Sequence, residues 1–237
     1  MNEEAVATKP RIEIRDKLRY ETLKALAIQG KYSFVVSLVN AVIVFIALQP
    51  LVGPDTMLLW LAIIGTLTLV RMLMIAGFFR LEETEILTGS WQEAYVFLAY
   101  VTAACWGSLP LLIEFGETQW ASSFVIFVIS GMSAGALVSL YAMLRVVIPY
   151  LMITLFPLLV VISSTPAEAS LQMAILVSFY LILLVRSAYL LNANTQKTLR
   201  LELENEELFD FLVNARHDPE AKNTPIDKEK YWQGYEI

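Results

Sequence analysis

The sequence predicts an all-α integral membrane protein, a six-transmembrane-helix bundle with a cytoplasmic, coiled-coil-like helical C-terminal extension. Three observations carry that reading. Of 237 residues, 57% are hydrophobic and 17% charged, and the mean hydropathy is +0.60, whereas a soluble domain holds roughly 45–50% apolar and about 25% charged residues. The apolar residues gather into six blocks, each near the roughly 20 residues a helix needs to cross about 30 Å of hydrocarbon. The basic residues flank alternate ends of those blocks. Such a chain excludes a cytosolic enzyme and a disordered protein. A net charge of −6 with no basic cluster of groove-reading size also excludes a nucleic-acid binder.

Residues 1–31 are mixed in charge. Ile12, Ile14, Leu18, Leu23 and Leu26 alternate with basic residues, which fits either an amphipathic helix on the inner leaflet, its cations against anionic lipid, or a solvated helical lead-in. The segment lacks the apolar stretch and cleavage site of a signal peptide, so no processing is expected. The transmembrane domain, 32–191, holds spans at 32–51, 57–79, 94–115, 120–144, 146–163 and 171–191. Gly53-Pro54-Asp55 separates the first pair, residues 114–119 the third from the fourth, and Thr165-Pro166-Ala167-Glu168 the last two. The fourth and fifth meet at Arg145.

Cytoplasmic flanks retain Lys and Arg. Lys9, Arg11, Arg15, Lys17, Arg19, Lys24 and Lys31 precede the first span, Arg80 follows the second, Arg145 the fourth, and Lys197 and Arg200 the sixth. The opposite loops carry Asp55, Glu114, Glu117 and Glu168 and no Lys or Arg. Both termini are therefore expected in the cytoplasm, with the spans in the plasma membrane. Trp60 and Trp120 then fall at the outer interface and Trp91 at the inner one.

Within the blocks the only cations are Arg71 and Arg186, each about 21–23 Å from the outer start of its helix at 1.5 Å per residue. They read either as an anion or ligand site between spans two and six, or as side chains snorkelling to headgroups. The remaining interior polar groups are neutral: Asn40, Thr66, Thr68, Thr102, Ser108, Ser130, Ser133 and Thr154. The absence of Asp, Lys and His there weakens any ion-coupled transport. Gly131 and Gly135 form a small-xxx-small pair, expected to let another helix of the same bundle approach closely, with a dimer face as the alternative. Pro149 and Pro157 in span five, and Trp106-Gly107 with Pro110 in span three, are expected to bend their helices. Kinked helices beside a small-residue helix either enclose a cavity or simply pack irregularly. The lone Cys105 and lone His217 provide no disulfide or metal set, and no cofactor is expected.

No Pro or Gly occurs from 171 to 216, so the sixth helix can continue beyond the bilayer. Over 192–215, with Leu191 leading in, a seam of Leu191, Asn194, Thr198, Leu201, Asn205, Leu208, Leu212 and Ala215 alternates by three and four. That pattern suits a parallel homodimer through 191–215, with the two asparagines fixing register; a single solvated helix is the alternative. Residues 216–237, with Pro219 and Pro225, read as a flexible tail ending in Lys230-Tyr231-Trp232-Gln233-Gly234-Tyr235, an aromatic run suited to docking on a partner or the membrane.

Six short-loop spans followed by Leu199-Arg200-Leu201-Glu202-Leu203-Glu204-Asn205-Glu206-Glu207-Leu208 resemble the membrane input regions of bacterial GGDEF, EAL and histidine-kinase signalling proteins. The resemblance covers about residues 17–215 and is most specific in the helix after span six. It implies a sensor whose last span drives a cyclase, phosphodiesterase or kinase, here acting in trans, within c-di-GMP-type signalling. No GGDEF, EAL or ATP-binding motif occurs in the sequence, so the output domain of that family has no counterpart in these residues. Phe211-Leu212-Val213-Asn214-Ala215-Arg216-His217-Asp218 echoes a histidine-kinase phosphoacceptor box, but Pro219 follows at once, so His217 is expected to be an exposed tail residue. The expected function is a non-enzymatic sensor that transmits a membrane-embedded stimulus through the helix after span six. A small-solute permease or flippase-like carrier and a membrane anchor recruiting a cytoplasmic partner through 192–237 are the alternatives.

Overall fold

The computed structural model of the chain describes residues 3–166 and 170–217, with side chains at 16–31, 33–166, 170–206, 208–209 and 212. The end of the expected tail, including Pro219, Pro225 and the aromatic run, lies outside the described residues, as do Glu168 and the side chains of Ile12, Ile14, Ala215 and His217. Eight helices and no strand occur among the described residues: α1 Glu3–Val52, α2 Pro54–Phe78, α3 Glu83–Thr88, α4 Trp91–Gly107, α5 Leu109–Leu112, α6 Gln119–Leu140, α7 Leu144–Ser164 and α8 Ser170–His217. Six of the helical stretches are long and apolar enough to cross a bilayer. The chain is a multi-pass membrane protein.

Local chemistry sets the breaks. Gly53 takes φ +101°, open to glycine at little cost, and Pro54 then starts α2 with Asp55 in its first turn. Glu82 and Glu85 close a capping box on α3, a short helix that the sequence reading did not anticipate. Ser108, whose hydroxyl donates to Cys105 O at 2.8 Å, divides the expected third span into α4 and α5, with Pro110 in the first turn of the second piece. Gly116 turns at φ +97°, and its N–H donates to Ser122 Oγ at 3.0 Å.

Two helices run through the borders of the expected transmembrane domain. α1 runs unbroken through residue 31, because Leu23, Leu26 and Ala27 are buried in the protein core rather than turned to a lipid surface. Likewise α8 passes residue 191 without interruption.

Helices α1, α2, α4, α7 and α6 pack in that order around a ring that closes from α6 back to α1. The α4–α7 side is closely packed, with Trp106, Ala103, Leu151 and Thr154 all fully buried. Up to Gln196, α8 lies outside this ring and buries one narrow stripe of Val177, Leu184 and Ala188. Tyr180 Oη donates to Ser130 O of α6 at 2.7 Å. The compact unit ends at Gln196 and a second begins at Lys197. In that second unit the seam residues Leu201, Leu208 and Leu212 are exposed, whereas Leu203, off the seam, is buried.

Candidate functional site

The inward stripe of α2 is Met57, Trp60, Ile64, Thr68, Arg71, Ile75 and Phe78. The three- and four-residue spacing places each side chain on one helix face, so Arg71 occupies a core position. It is 6% exposed. Its Nη2 donates to Tyr95 Oη at 3.1 Å. Its guanidinium also lies 5.2 Å from the Tyr95 ring and 5.5 Å from the Phe34 ring, both within cation–π range. No carboxylate reaches it among the described residues, and its Nε is buried without a hydrogen-bond partner. Arg186 is exposed on α8, a helix outside the ring. The two arginines therefore do not form one site.

Arg71 borders a cavity of about 500 Å³ to which all five ring helices contribute. Polar lining comes from Gln29, Ser37 and Asn40 of α1, Thr68 of α2, Thr102 of α4 and Tyr150 of α7. Thr68 and Thr102 donate their hydroxyls to their own helix backbones at 2.7 Å. Asn40 Nδ2 lies 3.3 Å from Met132 Sδ, and Gln29 Oε1 is buried without a partner.

Gly131 and Gly135 also line the cavity, and a Cβ built at either meets nothing within 4 Å. The close intramolecular packing expected of this pair is thus not what they do; their missing side chains leave the cavity wall low. Close approach belongs to Gly107, where a Cβ would come within 2.6 Å of Ile153 O and 3.2 Å of Thr154 Cα. Beside the mouth, Val36 and Val138 are 58% and 63% exposed, so the cavity reaches the outer surface between α1 and α6.

The other predicted positions are structural neighbours of this site rather than parts of it. Pro149 and Pro157 lie inside an unbroken α7. Each lacks the N–H that would serve the carbonyl four residues back. For Pro149 that carbonyl is Arg145 O, which accepts from Tyr100 Oη at 2.5 Å. Trp106 is fully buried with its Nε1 unpartnered, edge-on to Trp60 at 5.3 Å. Trp60 turns inward and donates to Cys105 O at 3.0 Å. Trp91 donates to Met74 O at 3.1 Å, and Trp120 is 53% exposed.

Sequence reasoning missed Tyr95, Tyr150, Gln29, Tyr141 and Asn192. Gln29 Nε2 donates to Tyr141 Oη at 2.7 Å. Tyr141 O and Ala142 O in turn accept from Asn192 Nδ2 of α8 at 2.9 and 2.8 Å. Gln196 of α8 adds a 3.3 Å contact to Thr22 Oγ1 of α1. A hydrogen-bonded path thus joins the cavity wall to α8. For the arginine a signal was readable: Arg71 shares the register of Ile64, Thr68 and Ile75.

Among the described residues no three His, Cys, Asp or Glu side chains converge as a metal set would. No family model, curated protein or solved structure matches the chain.

Proposed function

We propose that this protein is a membrane sensor, a non-enzymatic module in which occupancy of the Arg71 cavity alters the position of α8. The observation that supports it best is the Gln29–Tyr141–Asn192 connection, because one side chain of the cavity wall and one residue of α8 bond to the same tyrosine. A ligand that favours one arrangement of Gln29 then shifts α8 by its differential affinity for the two arrangements, and by no more than that. On this reading α8 conveys the change to a cyclase, phosphodiesterase or kinase, and the exposed Leu201, Leu208 and Leu212 pair with a second copy. Positive charge gathered where α1 enters and α8 leaves supports a cytoplasmic location for that end, in a bacterial inner membrane.

Disulfide cross-linking of single cysteines along 194–212, in membranes, tests the reading. Cross-linking should follow a three-and-four period, vanish when Leu201→Asp and Leu208→Asp are combined, and change its pattern in Tyr141→Phe. Equal cross-linking at every position, or a pattern indifferent to Tyr141→Phe, overturns it.

A further inference from the structure

A guanidinium placed in a membrane interior without a counter-charge is unfavourable by about 2.5–3.5 kcal/mol on insertion scales. Two aromatic rings and one tyrosine hydroxyl offset part of that for Arg71. Its buried Nε is left without an acceptor, and the residue lines a cavity whose volume, about 500 Å³, lies within the range of small-molecule sites, roughly 300–1,000 Å³. The ligand this arrangement lacks is an anion with oxygen acceptors, since a guanidinium pairs best with phosphate or carboxylate.

The route to that cation is equally specific. Arg71 lies about two helical turns, roughly 10 Å, before the end of α2 at Phe78. This is the end of the bundle where Lys31 Nζ sits 4.0 Å from the Phe79 ring. The cavity opens sideways beside Val36 and Val138, and the two glycines without side chains in its wall leave a gap there. An apolar lateral mouth leading to a polar, cationic interior matches an amphiphile rather than a free ion.

We infer that the Arg71 cavity binds an anionic amphiphile, whose phosphate or carboxylate headgroup reaches Arg71 while its alkyl chain leaves between α1 and α6 over Gly131 and Gly135. The inference rests on the sensor reading for its purpose, since it supplies that site's stimulus class. Occupancy is nevertheless measured apart from cross-linking along α8, so the two fail separately.

The full chain in phosphatidylcholine nanodiscs, titrated with dodecyl phosphate while thermal unfolding is followed, provides the test. A saturable rise in unfolding temperature is expected. Arg71→Gln should weaken the apparent affinity by about tenfold or more, the loss of a charged hydrogen bond and its ion pair, and Arg71→Lys should recover part of it. Gly131→Leu with Gly135→Leu starts from positions where an added Cβ meets nothing within 4 Å, so that variant is expected to fold while narrowing the mouth, and it carries the test if Arg71→Gln does not fold. Dodecanoate should act as dodecyl phosphate does, and dodecyltrimethylammonium should not. A shift of equal size and potency with inorganic phosphate would overturn the amphiphile in favour of a free anion. No saturable shift, equal shifts in wild type and the glycine double variant, or an equal response to the cationic amphiphile would overturn the site altogether.

Discussion

Gly107 of α4 lies against the carbonyl of Ile153 on α7, so closely that an added Cβ would stand 2.6 Å from its oxygen. That carbonyl is four residues before Pro157, which has no N–H to give it. The glycine and the proline, far apart in sequence, thus act on the same backbone group: one removes its helical donor, and the other lets the neighbouring helix approach. Close backbone approach at small residues is the main source of helix association in lipid. It makes the α4–α7 contact a closely packed side of the ring, whereas the α1–α6 side carries the cavity mouth.

Gly107→Ala should therefore destabilise the protein by about 1–3 kcal/mol through overpacking, because the obstructing atoms are backbone. Gly131→Ala, entering open space, should stay within about 0.5 kcal/mol of wild type. Reversible unfolding in mixed micelles with increasing dodecyl sulfate measures both. Equal stabilities would refute the distinction between a packing glycine and a cavity glycine.

Arg145 and Glu93 link the starts of α7 and α4 at 2.6 and 2.7 Å, but their side chains are 51% and 67% exposed. Solvent and salt screen such a pair, whose value is about 0–1 kcal/mol. A double-mutant cycle with Glu93→Gln and Arg145→Gln should give a coupling of that size, and it should fade near 1 M salt, where the screening length is about 3 Å. A coupling above about 2 kcal/mol would show the pair to be desolvated.

Six apolar blocks and the alternating charge were legible in the sequence because lipid imposes length and composition on any spanning helix. Which face of each helix turns inward was not, since lipid and protein interior select similar side chains. Gly131 and Gly135 illustrate the loss: the spacing that marks close packing serves equally to leave a wall low. Trp60 illustrates it again, placed near a helix start as interface tryptophans are, yet bonded inward to Cys105 O. Arg71 could have been assigned inward from its register with Ile64 and Thr68, but its partner could not, because Tyr95 reaches it from another helix. The separation of Arg71 from Arg186 follows from α8 standing outside the ring, a tertiary fact that matching depths do not encode.

Glu117, in the turn between α5 and α6, has its carboxyl pushed above the ordinary carboxylate range, first by a hydrogen bond with the Glu114 side chain and then by that carboxylate's charge. A raised pKa in the folded state means that the folded protein holds the proton more tightly than the unfolded chain. The stabilising effect is complete at pH below the unfolded value and is lost as pH rises through the folded value. Stability should accordingly fall slightly on going from acid toward neutral pH, and Glu117→Gln should flatten that part of the profile. Thermal unfolding across the acid range checks it; the opposite slope, unchanged in the variant, would contradict the sign.

Asn192 holds α8 to the ring through two carbonyls, Tyr141 O and Ala142 O, in the turn after α6. Such helix-end carbonyls lack intrahelical donors, so the amide satisfies groups that lipid cannot. The buried apolar stripe of α8 before Gln196 comprises only Val177, Leu184 and Ala188, so this amide carries a large share of the attachment. Interhelical hydrogen bonds in membranes are each worth about 0.6 kcal/mol and up to about 1.7. Asn192→Leu should therefore raise the rate of maleimide attack at Ala188→Cys, in a Cys105→Ala background, by about 3- to 20-fold, the opening equilibrium equivalent to those energies. Gln196→Leu should do less, because its bond to Ala142 O is already stretched to 3.5 Å. An unchanged rate in Asn192→Leu would mean that α8 is held by its apolar stripe and its Tyr180 and Gln196 bonds instead, and a movement of Tyr141 would then have no grip on the helix it is proposed to move.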